Sequence, residues 1–80
     1  MKITLLFFGI LKDIIGDTSK ELQVTESITV DGLKTHLLQK YKELNNFSTF
    51  SIAVNEEYVT ANYILNTNDV VALIPPVSGG

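Results

Sequence analysis

The sequence predicts an α+β fold in which a mixed sheet of four to five strands packs on one main helix. Short apolar runs fill residues 3–8 and 70–74, bounded by Gly9 and by Pro75-Pro76, a length and punctuation that suit buried strands better than helices. Between them Leu33, Leu37, Leu38, Tyr41 and Leu44 recur at helical spacing, which draws one apolar stripe down one helix. Each surface needs an apolar partner, and a sheet laid on a helix supplies both at once.

Residues 3–8 form the first strand, apolar enough throughout to sit centrally in a sheet. Ile10, Leu11, Ile14 and Ile15 then suit a short helical segment stopped by Gly16 and Asp17. Residues 18–24 return as a hairpin partner, with Leu22 and Val24 on one face and Glu21 and Gln23 on the other. Thr29 has the chemistry of a helix N-cap, and Asp31 places negative charge in the first turn, where the helix dipole favours it. Lys34, Gln39, Lys40, Lys42 and Glu43 supply the wet side of this helix, Gly32 weakens its start slightly, and Asn45-Asn46 ends it. Residues 51–54 make a third strand, Asn55-Glu56-Glu57 a tight turn, and residues 58–60 a short returning strand. A polar connection, Leu65-Asn66-Thr67-Asn68-Asp69, leads into the last strand. This order of elements is that of the β-grasp, or ubiquitin-like, arrangement, with the two end strands side by side in the middle of the sheet. Residues 1–74 make the domain and residues 75–80 an exposed C-terminal reactive tail.

Eighty residues suffice for one core and not for two. No stretch reaches the roughly 18–20 uninterrupted apolar residues of a membrane span. The apolar start lacks a small-residue cleavage site before Lys12-Asp13, so it reads as strand rather than secretion signal, and the expected location is cytoplasmic. The absence of cysteine excludes disulfides, thiolate-bound metal and cysteine-based sulfur chemistry on this chain. Six lysines, no arginine and nine acidic residues give a formal charge of -3. Without arginine's bidentate fork a nucleic-acid role is disfavoured, and a partner carrying basic patches is favoured. The sequence offers no nucleophile–base pair, metal cluster or phosphate loop, so no independent enzymatic activity is expected.

The chemistry collects at the end of the chain. Pro75-Pro76-Val77-Ser78-Gly79-Gly80 follows the last strand directly, and six residues reach at most about 20 Å when extended. The prolines stiffen the base of the tail and lower the entropy lost when it enters a partner's channel. Ser78, Gly79 and Gly80 have small side chains or none, so they fit a slot that excludes larger residues while their backbone groups stay available for pairing. A Gly-Gly end alone reads equally well as frayed polypeptide; the proline-led launch from a central strand turns the reading toward a reactive arm. A carboxylate is a poor acyl donor. As an acyl-adenylate it gains a good leaving group, and a sulfur nucleophile can then convert it to a thiocarboxylate. Neither step needs a catalytic side chain here; both need a glycine carboxylate that travels into another protein's active site.

Five segments then carry a resemblance over essentially the whole chain. They are Ile3-Thr4-Leu5-Leu6-Phe7-Phe8-Gly9, Leu11-Lys12-Asp13-Ile14-Ile15-Gly16, Ile28-Thr29-Val30-Asp31-Gly32-Leu33, Ile52-Ala53-Val54-Asn55, and the ending from Asn68 through Pro75-Pro76-Val77-Ser78-Gly79-Gly80. Together they resemble the β-grasp sulfur-carrier (MoaD/ThiS) family, in particular its branch of small molybdopterin synthase subunits. The resemblance implies a non-catalytic carrier for molybdenum cofactor biosynthesis. A ubiquitin-activating-type adenylyltransferase would consume ATP to adenylate Gly80, a sulfur-transfer protein would supply the sulfur, and Gly79 would give the tail access. The carrier would insert Pro76 to Gly80 into the large subunit and donate sulfur for conversion of cyclic pyranopterin monophosphate to molybdopterin, in a heterotetramer of two small and two large subunits. Partner contacts are expected from Phe7, Pro75, Pro76, Val77, Ser78, Gly79 and Gly80, with no bound cofactor, no metal, no nucleic acid and no membrane. Two positions depart from the family pattern: Lys12 stands where an arginine is common, and Thr67-Asn68-Asp69 replaces an Asp-Gly-Asp. Asn68 still tolerates a positive-φ turn.

Outside the tail, His36 reads as a solvated helix residue rather than a ligand, and Glu56-Glu57 as a wet turn rather than a cation site. Phe7 and Phe8 point to opposite faces of their strand, so an uncovered sheet face is expected to serve as a docking patch for the large subunit. Two other roles fit the same tail: sulfur delivery for thiazole (thiamine) synthesis, and a ubiquitin-like modifier joined through Gly80 to lysines.

Overall fold

The computed structural model describes residues 1–47 and 50–75. Among the described residues five strands form one sheet: β1 (Lys2–Phe7), β2 (Ser19–Gln23), β3 (Ser51–Val54), β4 (Glu57–Tyr58) and β5 (Val70–Ile74). The strand order is β2-β1-β5-β3-β4. β1 and β5 are parallel neighbours at the centre, and the remaining pairs are antiparallel. This is the β-grasp arrangement, with both chain-end strands in the middle of the sheet.

Strand alternation sorts the residues into two faces. Ile3, Leu5 and Phe7 of β1, Val71 and Leu73 of β5, Ile52 and Val54 of β3 and Leu22 of β2 are buried on one side. Against them lies α2 (Val30–Lys40), which contributes Val30, Leu33 and Leu37. The short helix α1 (Gly9–Ile15) adds Leu11, a 3-10 segment adds Leu44, and the loops add Phe50 and Leu65. Each such side chain contributes about 1.5–3 kcal/mol on leaving water.

The start of α2 forms as its sequence requires. The Thr29 side-chain oxygen accepts from the Gly32 N–H at 3.0 Å, and Asp31 lies in the first turn. Its end comes earlier than the apolar stripe suggests. Tyr41 leaves helical geometry at φ -117°, ψ 86°, and a 3-10 segment (Lys42–Phe47) follows. The Tyr41 ring packs edge-on against Phe7, with centroids 6.4 Å apart. Asn45 Nδ2 donates to the Lys42 carbonyl at 3.1 Å, a local bond that competes with helix continuation. Leu44 remains fully buried despite the break.

The connection between β3 and β4 is also tighter than the sequence reading has it. Asn55 and Glu56 alone form the turn, both with positive φ (51° and 71°), and Glu57 already pairs with Val54. β4 stops at Tyr58, so residues 59 and 60 are not strand as expected; Val59 packs against the core. Asn68 adopts φ 68°, so the left-handed turn is kept without a glycine. Among the described residues no helix is long and apolar enough to cross a membrane.

Candidate functional site

The sheet face opposite α2 has no layer over it among the described residues. Its register builds a row across the strands: Ser19 opposite Leu6, Leu6 beside Ala72, Ala72 opposite Ala53, and Ala53 opposite Tyr58. On the side toward the end of β5 stand Phe8 and Ile74; on the other side stands Val70. These residues line a shallow groove of about 630 Å³, closed at the β3–β4 turn by Asn55 and Glu56. Phe8 is 47% exposed and Tyr58 72%. Large apolar side chains held in water on one face mark an interaction surface.

The tail leaves from this face's edge. β5 ends at Ile74, and Pro75 packs where β1 turns into α1: a Cβ added to Gly9, whose φ is +55°, would meet Pro75 Cγ at 3.0 Å. The last strand therefore delivers the chain into a slot beside Phe8 that a bare glycine backbone leaves open. Pro76, Val77, Ser78, Gly79 and Gly80, the greater part of the expected site, lie outside the described residues. Phe7, also expected among the partner-binding residues, is a core residue at 2% exposure. The parity of β1 aims it at α2, and Phe8 holds the outward position. Leu6, Ala72 and Ile74 belong to the same face and were not singled out from sequence, because they sit in runs read as buried strand and a lone alanine gives no periodic signal; Tyr58 reads from sequence only as one of several aromatics divided between core and partner surface.

A polar clasp fixes the far end of the groove. Asp69, 6% exposed, accepts from the Asn66 N–H at 2.7 Å and from Asn55 Nδ2 at 3.0 Å. Asn55 Oδ1 accepts from the Val70 N–H at 3.0 Å, and the Asn55 N–H donates to the Val70 carbonyl at 2.8 Å. The start of β5 and the β3–β4 turn are thus held as one unit, and the buried Asp69 carboxylate has its acceptors satisfied.

The other flagged residues do not join this site. Lys12 lies on α1 beside a second hollow of about 440 Å³, walled by Phe7, Phe8, Gly9, Thr18 and Ser19. His36 is exposed on α2 near Gln23, Val24, Thr25 and Ile28. Among the described residues no group of three or more His, Cys, Asp or Glu side chains could hold a metal ion.

Comparison with known proteins places this geometry in a family. A model described as the ThiS family matches residues 5–80. The molybdopterin synthase sulfur carrier subunit of Mycobacterium tuberculosis is 32% identical over 82 residues, covering 100% of this chain and 99% of that protein. Among solved structures, a putative molybdopterin converting factor subunit 1 from Pyrococcus furiosus superposes with a TM-score of 0.88 at 23% identity, covering 96% of this chain and 99% of that one. A chain from the Helicobacter pylori complex of molybdopterin-converting factor subunits 1 and 2 superposes with a TM-score of 0.73 at 27% identity, covering 100% of both.

Proposed function

Because the chain belongs to the ThiS/MoaD family of small sulfur carriers, we propose that it carries sulfur as a thiocarboxylate on Gly80 for molybdenum cofactor biosynthesis. The observation that carries this reading is the continuity of three features: a central strand ending at Ile74, the tail sequence Pro75-Pro76-Val77-Ser78-Gly79-Gly80, and an open apolar face beside the point of departure. The face supplies recognition and the tail supplies the reacting atom.

The steps follow from carboxylate chemistry. An activating enzyme transfers AMP from ATP to the Gly80 carboxylate and releases pyrophosphate. Sulfide, released by the sulfur donor as HS⁻, attacks the acyl carbon, AMP leaves, a proton is lost, and Gly80 ends as the thiocarboxylate. The charged tail then enters the large subunit of molybdopterin synthase, where the thiocarboxylate sulfur bonds to a carbon of a pterin precursor, cyclic pyranopterin monophosphate, as an oxygen substituent leaves. Water then cleaves the resulting Gly80 thioester, returning the carboxylate, and two such deliveries supply the two sulfurs of the dithiolene. The complex of two subunits described for the Helicobacter pylori relative supports a large-subunit partner, and we assign two small and two large subunits to the assembly. The residues we assign to the partner contact are Phe8, Pro75, Pro76, Val77, Ser78, Gly79 and Gly80.

Intact-mass analysis tests the reading. Incubation with the activating enzyme, ATP and a sulfur donor should shift the mass by replacement of one oxygen with sulfur, and deletion of Gly80 should abolish the shift while the cooperative melt persists. No shift with components that charge another carrier would refute it. Parallel presentation of the charged form to a thiazole synthase separates the two carrier branches, and delivery only there would overturn the molybdopterin assignment.

A further inference from the structure

The turn that closes the groove carries a residue that local backbone energetics disfavours. Asn55 and Glu56, with φ of 51° and 71°, form a two-residue hairpin turn of the type I′ class, whose preferred sequence is Asn-Gly. Asn55 tolerates this region, and its side chain is used twice in the clasp with Asp69 and Val70. Glu56 holds a Cβ in the left-handed region, and among the described residues its side chain makes no hydrogen bond or ion pair. A strained residue that gives the fold nothing in return points to function.

The surroundings indicate which function. Among the described residues Glu56 is the one charged residue lining the groove; the walls are otherwise apolar or uncharged, with Leu6, Phe8, Tyr58 and Ile74 the large members. Glu57 pairs with Val54, whose side chain is buried on the α2 side, and so belongs to the other face of the sheet; the chain as a whole carries -3. A cation site is not built here, since among the described residues no group of three or more His, Cys, Asp or Glu side chains could hold a metal ion. The turn is held to β5 by the Asn55 bonds, so the backbone that carries Glu56 is held about 13 Å along β5 from the point where the tail departs.

Resting on the carrier reading above, we propose that Glu56 is a specificity-determining residue of the docking face, which pairs with a lysine or arginine that the large subunit presents beside the apolar ridge seated in the groove. An apolar groove alone accepts a ridge in either direction. A negative charge at one end and the tail at the other give the groove a polarity, so that only one orientation brings Gly80 to the partner's reactive centre. Charge at the edge of an apolar patch acts mainly on encounter and orientation, and its effect is screened by salt.

The test is association kinetics with the purified large subunit from the same organism, at low and high ionic strength. E56Q should associate about 3-fold more slowly and E56K about 10-fold more slowly at low ionic strength, both differences narrowing in high salt. E56G relieves the left-handed strain and should melt about 3 °C higher, net of added freedom in the unfolded chain, yet bind as E56Q does. A purely structural role predicts no such opposition between stability and binding. Rates equal to the parent's for E56Q and E56K at low ionic strength overturn the assignment. Thiocarboxylate formation on the parent chain keeps the two readings apart. If the parent is charged and bound while E56K binds equally well, only the role of Glu56 falls; if the parent is neither charged nor bound, the carrier reading falls and this inference with it.

Discussion

Replacing Asp69 with alanine should destabilise the fold by about 3 kcal/mol, a value that follows from two bonds. The carboxylate accepts from the Asn66 N–H at 2.7 Å and from Asn55 Nδ2 at 3.0 Å, and a hydrogen bond to a charged group contributes about 1.5–3 kcal/mol. Both donors belong to exposed residues, so water can reach them once the carboxylate is gone; that keeps each bond near the lower bound. For a domain of 80 residues, 1 kcal/mol moves Tm by about 4–8 °C, so the melt should fall by more than about 10 °C. Asp69→Asn refines the argument. Its amide preserves the shape but must aim its NH2 at one of the two donors, and Asn55 cannot flip to oblige, because its Oδ1 already accepts from the Val70 N–H. That variant should lose one bond, close to half the effect. Urea unfolding followed by circular dichroism reads both numbers. A loss below about 1 kcal/mol for Asp69→Ala, or a native-like Asp69→Asn, would show that the clasp does not hold the turn to β5.

Thr29→Ala should cost about 1 kcal/mol and Thr29→Ser almost nothing, because the cap needs a side-chain oxygen for the Gly32 N–H and little else; thermal melts of the pair decide it. Phe8→Ala should change stability by no more than about 0.5 kcal/mol and raise the dissociation rate from the large subunit about 10-fold. Phe7→Ala, one residue earlier but in the core, should cost about 3–5 kcal/mol. Unaltered binding of Phe8→Ala would move the docking surface off this face.

The central strands, the helix and its cap were legible because each is written in local terms. The apolar runs at residues 3–8 and 70–74 and the Thr29–Asp31 start encode burial and capping directly. The end of α2 was not legible, since the stripe continues through Tyr41 and Leu44 while the backbone does not. What breaks it is a tertiary contact, Tyr41 against Phe7, together with the Asn45 bond to Lys42, and periodicity carries no record of either. The parity of β1 was legible only as a choice: adjacent phenylalanines point opposite ways, and the pairing with α2 decides that Phe8 faces water. The groove depends on register across four strands, with Leu6, Ala72, Ala53 and Tyr58 in one row; no window of sequence contains that row. Asp69 looked like an ordinary loop residue because the donors it serves lie at Asn55 and Asn66.

The parallel pairing of β1 with β5 has a consequence for how a small-residue tail can work. On the proposed reading Ser78, Gly79 and Gly80 bring almost no side-chain surface of their own, so their intrinsic affinity for a channel is low. β5 ends beside Phe8 and Gly9, which ties the base of the tail to the edge of the apolar face. On that reading a tether of six residues reaches at most about 20 Å once the face docks, and a tether this short would hold its end at an effective concentration of the order of millimolar. The groove can therefore supply the binding energy while the tail stays narrow enough for the channel and weak enough to withdraw after sulfur transfer. Moving the same tail to β2 or β4, at the sheet's edges, would separate the reacting end from the face that positions it. Lengthening it by a flexible Gly-Ser insert after Pro75 should accordingly slow sulfur transfer while leaving the affinity of the docked face unchanged, and single-turnover kinetics set beside equilibrium binding would separate the two.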